Sequence, residues 1–202
     1  MSASKIEGTP RERLLAAAHE LFYAEGVQTV GIDRVIERAG VAKASLYSTF
    51  GSKDELVRAY LEQRYMRRQA KLIERISRYD DPRDKILSIY DVLSELFAEP
   101  TFRGCAFLRA SAEAPDGGKI QGVCHEYRTW LADLFIALSR EAGARDPDQL
   151  GRHLLVLYDG ATMGASMDGD INRAADSRAL AETLLAAHTP APRKRAATRT
   201  KR

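Results

Sequence analysis

Apolar residues recur every three or four positions along almost the whole chain, the period of amphipathic α-helices. No stretch alternates apolar and polar residues, and no hairpin dipeptide separates two apolar runs, so strands are not expected. A first helix opens with Thr9 as cap, Pro10 at the first helical position and Glu12 completing a capping box. Leu14, Leu15, Ala18, Leu21 and Phe22 follow at helical spacing until Gly26. A short helix carries Ile32, Val35, Ile36 and Ala39 and stops at Gly40. Another covers Lys43 to Phe50, with only Leu46 and Phe50 on its apolar stripe.

After Gly51, Ser52 caps a long helix from Lys53 to about Arg78, with Glu55 placed for a second capping box. Asp81-Pro82 starts the next, to Ala98. A short helix over about 104–114, a long one over 119–142, one opened by Asp146-Pro147 and running to about Met167, and a last over 173–188 complete the pattern.

Composition adds limits. The 202 residues allow one large or two small domains, and 45% hydrophobic against 29% charged is an ordinary globular balance. No apolar run approaches the roughly 18 residues of a membrane span, and Met1 to Arg13 lacks the apolar core of a signal peptide. A cytoplasmic protein with no membrane partner is expected. The net charge of +3 is uneven: residues 189–202 hold six bases and no acid, a segment expected to be a disordered basic tail. Residues 1–65 carry nine bases and nine acids, so charge alone does not drive this segment to DNA. Arginine outnumbers lysine 23 to 8, which is read as coding bias.

Helices 32–39 and 43–50, joined by the tight turn Gly40-Val41-Ala42, form a helix-turn-helix. The second buries one narrow stripe and turns its other face outward, and a B-DNA major groove admits one such helix. Ala44 and Ser45 are small enough for close approach to base edges, and Lys43 and Tyr47 reach phosphates. Lys53 stands at the N-terminus of the long helix, where unpaired N–H groups favour an anion.

The stretches LLAAAHELFYAEG and GIDRVIERAGVAKASLYSTFGSKDEL resemble the tetracycline-repressor (TetR) family of bacterial regulators. The resemblance runs from Arg13 to Leu56. It implies an all-α homodimer: a three-helix helix-turn-helix domain on a near-palindromic double-stranded operator, then a larger helical domain that binds a small-molecule effector and dimerises. The expected division is an arm over 1–8, the DNA-binding domain over 9–52, the effector and dimerisation domain over 53–188, and the tail. The family's DNA contacts carry over onto Lys43, Ala44, Ser45, Tyr47, Thr49 and Lys53, with Ser48 and Gly31 counted to the same surface. Ala42 stands where the family often has a capping Ser or Thr, Thr49 where it often has His, and Val30-Gly31 where it has a Thr/Ser pair.

The resemblance also places the effector among the long fourth helix and those after it. Tyr90, Phe97, Cys105, Phe107, His125, Tyr127, Trp130 and Met163 are candidates for its lining, with ordinary core packing as the competing reading. Gly160, Ala161, Gly164 and Ala165 let a second helix come close; with Leu180 and Leu184 they are candidates for the intersubunit four-helix bundle the resemblance implies, with packing against another helix of the same chain as the competing reading. His19 is expected on its helix's surface. The four histidines lack ligand spacing and the two cysteines cannot frame a zinc site, so no metal or other cofactor is expected. No nucleophile–base spacing or phosphate loop supports the alternative of a small helical enzyme with an incidental helix-turn-helix. A coating protein acting through its basic tail would bind any duplex with a steep salt dependence.

Overall fold

The computed structural model describes residues 6–115 and 117–190. Most of the expected arm and of the expected basic tail lie outside the described residues. Within them the chain is all α-helical: α1 (Pro10–Glu25), α2 (Ile32–Ala39), α3 (Lys43–Phe50), α4 (Lys53–Ile76), α5 (Pro82–Phe97), α6 (Ala106–Glu113), α7 (Lys119–Glu141), α8 (Pro147–Asp168) and α9 (Arg173–His188).

The caps account for most of the boundaries. Thr9 and Glu12 form the reciprocal box, the Thr9 hydroxyl accepting from Glu12 N at 3.3 Å and Glu12 Oε2 accepting from Thr9 N at 2.8 Å. Asp81 and Asp146 accept from Arg83 N and Gln149 N ahead of their prolines. The box at α4 is only half made. Ser52 Oγ accepts from Glu55 N at 3.2 Å, but the Glu55 carboxylate goes to Arg58 and Lys119. Two opposing cations attract it more strongly than one backbone N–H.

α1 to α3 form a small cluster around Leu14, Ala18, Phe22, Val35, Ala39 and the fully buried Leu46. Leu56 and Tyr60 of α4 close it from below and Leu72, further along, enters the core that α5, α7, α8 and α9 build. Gly151 lets α8 cross tightly over α7, since a Cβ there would stand 2.8 Å from Ile136 N. Between Glu62 and Lys71 no side chain of α4 is fully buried. That middle stretch borders a cavity instead of the core. No described helix is long and apolar enough to cross a membrane.

Candidate nucleic-acid interface and effector cavity

On α3 only Leu46 is fully buried, with Val41 and Phe50 half-buried around it. Lys43, Ala44, Tyr47, Ser48 and Thr49 are exposed and Ser45 is half-buried, so the expected DNA-reading residues share one outward surface. Ser48 and Thr49 hydroxyls donate back to the Ser45 carbonyl, at 3.2 and 2.6 Å. Neither Gly31 nor Ala42 supplies a side-chain cap, so α2 and α3 both begin with uncapped N–H groups.

The two lysines are engaged. Lys43 Nζ donates to Asp33 Oδ1 at 3.0 Å, and this bond, then the carboxylate's charge, raises the ammonium above its ordinary pKa. Lys53 Nζ donates to the Gln28 carbonyl at 3.3 Å, pinning the α1–α2 loop to the start of α4.

Beyond the helix-turn-helix a cavity of about 1070 Å³ opens between α4, α6, α7 and α8. Five of the expected lining residues meet there: Cys105, Phe107, His125, Tyr127 and Met163. Phe107 stacks on Tyr127 with ring centroids 3.9 Å apart. Three others do not line it. Tyr90 is wholly buried in the core, its hydroxyl donating to the Leu154 carbonyl at 2.7 Å. Trp130 packs against Tyr65 outside the cavity. Phe97 lines a smaller neighbouring cleft with Phe102. Burial of Cys124, then the neighbouring Cys105, pushes its thiol up to about 11, far from the thiolate a redox sensor uses.

His19 departs from its expected surface position. It is half-buried in the cavity wall, edge-on to Tyr60 at 5.1 Å, because α4 passes over that side of α1. Desolvation, then the charges of Arg64 and Arg67, lowers its pKa to about 4.

The cations of the wall went unread in the sequence. Arg64, Arg67, Arg68 and Lys71 follow one face of α4, and Arg103, Arg109 and Arg128 join them. Their spacing of three, four and seven residues was the available signal. Two of them, Arg64 and Arg109, tie Tyr23 of α1 to the larger domain. Arg64 lies 3.9 Å over its ring, Arg109 Nη1 donates to its carbonyl at 2.8 Å, and its hydroxyl donates to the Gly104 carbonyl at 3.2 Å.

From the cavity's rim, where Met163 and Met167 stand, outward, α8 and α9 present an apolar surface to solvent: Val156 is 67% exposed, Met163 50%, Met167 77% and Leu180 54%. Gly160 is open, Gly164 packs against Arg173 and Leu184 is half-buried. Ala161 and Ala165 point inward, 2% and 5% exposed, which corrects their assignment to an interface. The helix's outward stripe runs through 156, 160, 163 and 167, and 161 and 165 fall on its opposite side. Among the described residues no cluster of His, Cys, Asp or Glu is set to hold a metal ion.

Among the described residues the chain is all helical and sets an outward-facing helix-turn-helix, a DNA-binding motif, ahead of a helical domain with a cavity. The model of the bacterial regulatory proteins of the tetR family matches residues 14–60. SCO4454, a TetR-family transcriptional regulator from Streptomyces coelicolor, is 32% identical and superimposes with a TM-score of 0.85, over 90% of this chain and 96% of that one. The HTH-type transcriptional repressor NemR of Escherichia coli is 33% identical over 112 residues, 54% of this chain and 56% of NemR. The match thus spans little more than half of that repressor's length. LmrA, an HTH-type transcriptional regulator of Bacillus subtilis, is 29% identical over 144 residues, 69% of this chain and 76% of LmrA. The chain belongs to the TetR family of transcriptional regulators, which bind DNA and are not enzymes.

Proposed function

We propose that the protein is a homodimeric repressor. It holds a near-palindromic operator through Lys43, Ala44, Ser45, Tyr47, Ser48 and Thr49, and leaves it when a small amphipathic molecule fills the cavity. The helix-turn-helix over 9–52 reads DNA and residues 53–188 bind the effector and dimerise, in the cytoplasm. The observation that carries this is the outward face of α3, which keeps five exposed side chains around a single buried anchor, Leu46.

A near-neutral N-terminal segment, residues 1–65, favours two copies acting together, since one lacks the charge to hold a duplex alone. The exposed stripe of Val156, Gly160, Met163 and Met167 on α8, with Leu180 and Leu184 on α9, suits burial against its own copy. Release follows if the effector binds a state in which the two α3 helices no longer match successive grooves.

The test is fluorescence anisotropy on a duplex selected from a random-sequence pool. Tyr47→Ala is expected to weaken binding at least about tenfold, the loss of one good contact, while the dimer survives size-exclusion chromatography. Val156→Glu is expected to split the dimer. Wild-type affinity in Tyr47→Ala contradicts the assignment.

A further inference from the structure

The wall of the large cavity is charged far out of balance: among the described residues seven cationic side chains stand against Glu99 and Asp159 alone. Asp159 is already paired with Arg128. Most of the cations are engaged too. Arg64 covers Tyr23, Lys71 pairs with Glu95 at 3.3 Å, and Arg103 and Arg109 donate to backbone carbonyls. Arg67 approaches His19 Nε2 at 3.4 Å.

Arg68 is different. Among the described residues it has neither a hydrogen bond nor an ion pair, and its half-buried side chain lines the cavity together with Tyr127, Tyr158 and Cys105. Its five N–H donors face the cavity with no protein acceptor, which leaves them open to one brought in by a ligand. The missing partner is an acceptor with negative charge. Next to Arg68 lie the stacked rings of Phe107 and Tyr127, an apolar floor for a flat or extended body.

We infer, building on the effector-responsive reading above, that the cavity takes an amphipathic organic anion. Its carboxylate or sulfonate head pairs with the Arg68 guanidinium and its apolar body lies on Phe107 and Tyr127. Arg is suited to this role because its planar fork meets both oxygens of such a head. The same head draws on Arg64 and Arg109, the two cations that hold Tyr23 at the end of α1. The charge that fills the site therefore competes with a contact that fixes the helix-turn-helix.

Two dyes with one carbon skeleton test this: 8-anilino-1-naphthalenesulfonate, and N-phenyl-1-naphthylamine, which lacks the sulfonate. Fluorescence titration of the full chain should give one site per protomer and at least about a tenfold preference for the sulfonate, the worth of a charge-assisted hydrogen bond. Arg68→Gln should remove most of that preference and leave the neutral dye within about twofold, while Arg68→Lys keeps part of it. Displacement by 2-naphthoate but not by 2-naphthamide should follow the same order. Because Arg68 holds no other residue, the variants are expected to fold, and circular dichroism checks it. Equal wild-type affinities for the two dyes, or an undiminished sulfonate preference in Arg68→Gln, overturns the inference. If the dyes behave as expected and neither they nor 2-naphthoate releases the selected operator, the anion site stands and the effector-responsive reading falls.

Discussion

Gln28 and Glu113, 85 residues apart, are joined twice: Gln28 N donates to Glu113 Oε2 at 2.9 Å and Gln28 Nε2 to the Glu113 carbonyl at 3.1 Å. The Gln28 carbonyl accepts from Lys53 at the same time. One residue of the α1–α2 loop thus fastens the end of α6 to the start of α4. Gly26, at φ +97°, makes room for this, since a Cβ there would stand 3.0 Å from Glu113 Oε1. Because α6 also walls the cavity, anything that shifts it pulls on the loop leading into the helix-turn-helix.

Glu113→Ala removes the carboxylate bond of that link and leaves the one to the backbone carbonyl. It is expected to cost about 1 kcal/mol, one bond to a charged group at a half-exposed site, and lower Tm by roughly 2–4 °C. The larger effect should be on coupling: dye binding in the cavity stays as in wild type while its influence on operator affinity shrinks. Calorimetry and anisotropy on one preparation check it. Unchanged coupling would show that α6 does not carry the signal.

Asp33→Ala frees Lys43 for a phosphate and removes a negative charge beside the duplex. Operator affinity should rise about three- to tenfold at low salt, with a steeper salt dependence. An affinity that stays put or drops argues that the pair positions α3 instead.

Ala42→Ser supplies the cap that α3 lacks. A gain of about 1 kcal/mol is expected, seen as a Tm rise of roughly 2–4 °C. An unmoved Tm means that the first N–H groups of α3 already have water as an adequate partner.

His19, facing Arg64, Arg67 and Tyr60, makes stability depend on pH. Its folded pKa of about 4 lies below the ordinary 6.5, so between these values the unfolded chain takes up the proton and the folded one does not. Stability should fall as pH drops through 6.5 and level off near 4, by on the order of 1 kcal/mol at pH 5 from this group. His19→Gln should flatten the Tm profile between pH 7.5 and 5. Parallel profiles for the two proteins would refute the assignment.

The helices were legible because their ends carry local chemistry: Thr9-Pro10, Asp81-Pro82, Asp146-Pro147 and the glycines after α1 and α2 act within one turn. The outward face of α3 was legible for the same reason, since a single apolar stripe leaves the rest of so short a helix to solvent. The cavity was less so. Tyr90, Trp130 and Phe107 all sit at helical spacing, and what separates them is the element lying opposite in space, which no local pattern records. The stripe of Arg64, Arg67, Arg68 and Lys71 was written plainly in the spacing, but an arginine excess read as coding bias concealed it. The Glu55 carboxylate leaves its capping box for two cations, and one of them, Lys119, is 64 residues away.

Hydroxyl-radical footprinting on the selected operator tests the twofold pairing of α3 most directly. Two equal protected patches related by a dyad are predicted, their centres one helical turn of about 34–36 Å apart or a multiple of it, and both vanish together in Tyr47→Ala. A single protected patch, or a pair that persists in Tyr47→Ala, contradicts it.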